Sequence, residues 1–178
     1  IDAARSMKRI VDLQPGEVVG VSLYWQTERP ISERYKVFAQ LLDPQGYLWA
    51  QHDSEPGGGS QPTIIWRPGE RVSDRHGIQV PLGTPPGRYD LIVGLYHPTT
   101  GRRLTVPQDP AHNRLVLGSV VVERPPVPPA SQALPNQNRL WRPLGGDLVL
   151  LGYDAFRYGS DSKELRVGEG INLMLYWQ

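Results

Sequence analysis

The sequence predicts an all-β fold, an immunoglobulin-like antiparallel β-sandwich, and three observations carry that expectation. Apolar residues recur at every second position in short runs. The 19 glycines and 18 prolines fall mostly between those runs. No window places apolar residues at i, i+3, i+4 and i+7, as an amphipathic helix requires. Short alternating runs punctuated by turn residues are the pattern of a sandwich.

The elements follow in order. In "VVGVSLYWQ" (18–26), Val19, Val21, Leu23 and Trp25 share one face, and Pro15 and Gly16 make the turn before it. "YKVFAQLL" (35–42) and "YLWAQH" (47–52) flank "DPQG" (43–46), which reads as two antiparallel strands and a tight turn. "DSEPGGGS" (53–60) reads as a flexible loop with nothing to bury. After "WRPGE" (66–70) comes a run with Val72, Ile78 and Val80 as its apolar points. "PPG" (85–87) turns into "RYDLIVGLY" (88–96), "HPTTG" (97–101) into "RRLTV" (102–106), and 114–122 closes the unit.

The predicted organisation is a sandwich over 1–123, a Pro-rich linker over 124–143 and the first strands of a second, truncated copy over 144–178. "RPPVPPASQALPNQN" (124–138) supports the linker. The second copy rests on "LYWQ", which stands at 23–26 and again at 175–178. At that offset Asp154, Ala155 and Arg157 fall on Asp2, Ala3 and Arg5, and Leu165, Gly168 and Glu169 on Leu13, Gly16 and Glu17. Chance agreement at about one position in twenty would leave only one or two matches, so the likeness reads as a repeat. "LGGDLVLLG" (144–152) then supplies a strand whose counterpart would lie upstream of Ile1. A spare strand with a bare apolar face is expected there, docking onto the 1–123 sandwich or exchanged in a homodimer through 144–178.

Composition narrows the function. Nineteen Lys and Arg against 18 Asp and Glu leave a net charge of +1, which favours neither nucleic acid nor an anionic membrane. No apolar run is long enough to span a bilayer. The absence of cysteine excludes disulfides and thiolate metal sites. A start at Ile1 without Met reads as a mature or excised segment.

Catalytic and metal patterns are weak, so neither an enzyme nor a cofactor is expected. His52 with Asp53, and Asp74 with His76, offer metal-ligand chemistry but match no ligand spacing, and read as surface residues. Ser6, Ser54 and Ser60 lack a nucleophile elbow. Glu17, Asp43, Glu55, Glu70 and Asp90 show no pairing for glycoside hydrolysis. The aromatics remain: Tyr24, Tyr47, Trp49, Trp66 and Tyr96 are candidates for stacking on sugar rings, against the plainer reading of partial burial at strand edges. Trp141 belongs with them by the same reasoning.

"PGE" (15–17) before "LYWQ", "VFAQLLDPQG" (37–46), "WRPGE", "DRH" (74–76), "PGRYDLIVGLY" (86–96) and "LLGYD" (150–154) resemble a known family. They are similar to the soluble β-sandwich domains at the C-terminal end of bacterial multi-spanning glycosyltransferases of the dolichyl-phosphate-mannose mannosyltransferase-like class. The resemblance implies a non-catalytic accessory module on the extracytoplasmic face of a bacterial membrane, within a larger membrane protein. Glycan or lipid-linked sugar is the implied partner, and membrane contact comes only through the missing parent segment. A structural spacer or protein-interaction domain is the alternative.

Overall fold

A computed structural model describes residues 9–156 and 171–178. The chain forms two compact units, 1–126 and 127–178. The fold is all-β, relieved only by three short 3-10 turns among the described residues. Ser6 and the matches at 2, 3, 5, 157, 165, 168 and 169 lie outside the described residues.

Seven strands build the first unit: β1 (Arg9–Leu13), β2 (Val18–Gln26), β3 (Lys36–Leu42), β4 (Leu48–Ser54), β5 (Arg71–Gln79), β6 (Gly87–Tyr96) and β7 (Leu115–Val122). One sheet runs β1-β7-β6-β3-β4 and the other pairs β2 with β5. Neighbours are antiparallel except β1 and β7, which run parallel. The alternation in β2 works as expected, with Val19 and Val21 buried. They meet Ile78 and Val80 at the end of β5, and Leu41, Leu91, Val93, Val120 and Val122 from the other sheet, in one core. Burial of this shared apolar surface is the main force holding the two sheets together.

"RRLTV" is not a strand. Arg103 makes one isolated bridge to Tyr96, and Leu104 donates a single backbone bond to the Leu95 carbonyl. Pro107 and Pro110 follow, and proline cannot extend a ladder. Instead Arg103 packs its guanidinium 4.2 Å from the Phe38 ring centre, over the outer side of β3. Phe38, Leu42 and Ile92 form a second small cluster there. A side chain at Gly94 would run into the Phe38 ring, so glycine at that point of β6 makes the cluster possible.

The second unit is a three-stranded antiparallel sheet of β8 (Asn138–Pro143), β9 (Val149–Phe156) and β10 (Asn172–Trp177), in the order β10-β9-β8. Residues 138–143, expected as the end of the linker, are thus a strand. Leu134, further back in the same stretch, packs with Leu151 and Tyr176. Four of the five prolines in the stretch, at 125, 126, 128 and 129, precede the segment that folds, and the fifth, Pro135, follows Leu134 directly. Both edges of β9 are paired, so what this unit leaves open is a face of its sheet rather than a spare strand.

Candidate functional site

The most connected polar cluster sits between the sheets. Residues of β5 alternate strictly between exposed and buried, and Asp74 and His76 fall on the buried side with Val72 and Ile78. Asp74 is 0% exposed. The reading of these two as surface residues is therefore corrected. The signal was present in the sequence, since 74 and 76 share the parity of 72 and 78.

Three donors converge on the Asp74 carboxylate. The Trp25 indole N–H lies 3.0 Å from Oδ2, His76 Nε2 2.8 Å from Oδ2, and the Gly57 backbone N–H 2.9 Å from Oδ1. Burial by itself would push this carboxyl up. The hydrogen bonds from His76, Trp25 and Gly57 together outweigh it and hold the group below its ordinary value. An ionised Asp74 thus accepts from His76 Nε2–H, which frees His76 Nδ1 for the next link. His52 Nδ1 lies 2.9 Å from it, and the two rings meet edge to face. One proton fits between those two nitrogens. His52 comes from β4, so the chain Trp25–Asp74–His76–His52 ties β2 and β5 to the edge of the five-stranded sheet.

"PGGG" positions the backbone donor. Gly57, Gly58 and Gly59 have φ of 63°, 64° and 94°, a left-handed run that side-chain-bearing residues rarely adopt. Pro56 is buried, and the loop is fastened by the Arg34–Glu55 ion pair. The segment read as a flexible loop is instead a fitted cap on the network. Thr63 and Trp66 continue the fastening. The Thr63 hydroxyl donates to the Glu33 carbonyl at 2.6 Å, and the Trp66 indole N–H to the Gln61 carbonyl at 2.9 Å.

His52 and Asp53 point to opposite faces of β4 and cannot share an ion, since Asp53 stands beside Phe38 on the outer side and His52 beside Ala39 on the inner. Among the described residues no group of three His, Asp or Glu stands in a metal-holding arrangement. Several acids serve turns: Glu17 accepts from the Gln14 N–H, Asp43 from the N–H groups of Gln45 and Tyr47, and Glu70 from the Arg67 N–H.

The five stacking candidates are dispersed. Trp66 is 6% exposed and buried in the fold, and Trp49 is half-buried, its indole N–H on Asp43 and its ring edge-on to Tyr89. Tyr96 is half-buried at the end of β6 against Phe38. Tyr24 on the outer side of β2 and Tyr47 in the β3–β4 turn stay open, at 69% and 51% exposure. Tyr96 pairs with Lys36 at the start of β3, whereas Tyr47 follows its end. These rings do not make one platform. Trp141 on β8 is also exposed.

The chain matches no protein-family model and no curated protein. Among the described residues no helix is long and apolar enough to cross a membrane.

Proposed function

We propose that this chain is a non-catalytic interaction module of the extracytoplasmic part of a membrane glycosyltransferase-like protein, working through its sheet surfaces. One observation carries the reading: among the described residues the second unit presents an exposed row of apolar side chains, Ile171, Leu173, Leu175 and Trp177. Large apolar rows of this kind mark contact surfaces. The buried polar cluster, by contrast, has its hydrogen bonds satisfied inside the fold, which suits a structural tie between sheets.

We further read the first unit as an immunoglobulin-like sandwich. Two features support it. A first strand parallel to the last closes the five-stranded sheet. The Tyr89 hydroxyl, near the start of β6, donates to the Pro85 carbonyl at 2.7 Å, the arrangement of a tyrosine corner. Its hydroxyl is pushed up to about 12 by burial.

A second reading, carbohydrate binding, is favoured by Tyr24, whose open ring lies on the same face of β2 as Ser22 and Gln26. A glycan array followed by tryptophan-fluorescence titration decides between them. A flat response to all glycans fits the interaction module. A saturable change with one sugar class, abolished by Tyr24→Ala, would replace it with a lectin-like role. Proteolysis of the parent protein in intact cells tests the placement: an extracytoplasmic domain is cut without lysis.

A further inference from the structure

The five-stranded sheet of the first unit is faced by only two strands, β2 and β5. β5 has β4 and the "PGGG" loop beyond it, whereas β2 ends the small sheet. The backbone of β2 alternates between two edges. The Val80 N–H donates to the Glu17 carbonyl and the Gly69 N–H to the Thr27 carbonyl, each at 2.9 Å, and the register between them is unbroken. Odd-numbered residues of β2 therefore turn their amides and carbonyls toward β5, while Gly20, Ser22, Tyr24 and Gln26 turn theirs outward. Among the described residues no strand pairs with that outward edge.

The edge lacks the devices that keep sheet edges from pairing. The nine residues of β2 include no charge and no proline, and they run without a bulge. Burial also falls along the strand, from buried Val19 and Val21 to half-buried Leu23 and Trp25.

The second unit shows what such an edge holds. With the two "LYWQ" copies superposed, Asn172, Met174, Tyr176 and Gln178 take the places of Gly20, Ser22, Tyr24 and Gln26. Gln178, just past β10, exchanges both backbone bonds with Val149, at 2.8 and 3.0 Å. In β10 it is thus this same set of residues that turns toward β9. The edge that β9 fills in one unit is the edge left open in the other.

We propose that the outer edge of β2 binds an extended segment of a partner polypeptide, antiparallel, in the register that β9 takes on β10. The described strands of the chain itself all lie in sheets, and β9 is held on both edges by β8 and β10. The register defines the chemistry of the partner. Its residues opposite Val21, Leu23 and Trp25 share the core-facing side and are apolar, as Ala155, Tyr153 and Leu150 are in β9. Main-chain bonds to the outward residues supply affinity, and the apolar positions supply selectivity. This goes beyond the reading drawn from the second unit, since it uses none of the residues in that apolar row.

A fluorescein-labelled peptide of residues 147–156, DLVLLGYDAF, added to the full chain tests this. Its fluorescence anisotropy should rise to saturation, and the outward amides of Gly20, Ser22 and Tyr24 should exchange more slowly by NMR. A methyl group on the peptide nitrogen at the Asp154 position, which faces the acceptor strand, should weaken binding about tenfold. The same methyl at the Tyr153 position, which faces away, should leave binding unchanged. Ser22→Pro removes an outward donor without touching the ladder to β5, and should abolish binding with unchanged far-UV circular dichroism. Should that variant fail to fold, the pair of methylated peptides still reads the same edge. Absence of saturable binding to the wild type overturns the proposal, as does binding that ignores the position of the methyl group. A folded Ser22→Pro chain that binds as the wild type does would also overturn it. So would outward amides already protected without peptide, because the edge would then be filled from within the chain.

Discussion

Asp74 shows how much one carboxylate can hold together. Its removal strands three donors, the Trp25 indole N–H, the Gly57 amide and the His76 Nε2–H, in a buried site. Breaking a buried charged cluster in this way costs about 3–5 kcal/mol. Asp74→Ala is therefore expected to lower the urea midpoint strongly with an unchanged slope, as followed by tryptophan fluorescence. The same site fixes a pH dependence. The folded carboxyl titrates below its ordinary 3.8, so its contribution is complete above that value and is lost as pH falls through the lower folded value. The stability gap between wild type and Asp74→Ala should hold at neutral pH and narrow below about 3.8. A gap that persists unchanged at the acid end would show that the charge on Asp74 is not what the three donors recognise.

At the scale of elements, strands with one buried face were legible and loops with internal work were not. β2 and β6 read directly from alternation, because core burial imposes a period of two. β5 obeys the same rule, although polar Asp74 and His76 interrupt its apolar points; parity, taken alone, places them inside. "PGGG" was the harder case. Its glycines suggest freedom in sequence, while in the fold they serve a fixed left-handed path that delivers the Gly57 amide to Asp74. Nothing local announces that, since the partner lies 17 residues away. β1 has no local signature of this kind, because its partner β7 lies at the far end of the unit. Trp49 and Trp66 are tied by turn geometry instead, their indoles donating to Asp43 and to the Gln61 carbonyl, six and five residues back. The left-handed loop makes its own prediction. Gly58 has open space around its Cα but a φ of 64°, so Gly58→Ala strains the backbone without a clash and should cost about 1–2 kcal/mol. Gly58→Asn should cost less, because asparagine visits that region more readily. Thermal unfolding of the two variants compares them, and equal midpoints would mean the loop relaxes instead.

The whole molecule joins two units of unequal self-sufficiency. All seven strands of the first contribute to its clusters, and its core includes thirteen buried residues. The second spans residues 127–178, and among its described residues Leu134, Leu151 and Tyr176 form the buried cluster, with Val149 and Met174 alongside. A unit of that size sits near the limit at which an apolar core can sustain a fold alone. Two unfolding steps are therefore expected in urea, the second unit melting first. Leu151→Ala, which empties the middle of that small cluster, should move the early step to lower urea by about 2–5 kcal/mol of stability and leave the later step in place. Far-UV circular dichroism of the wild type and Leu151→Ala makes the comparison. A single step in both proteins would mean that the two units do not melt independently.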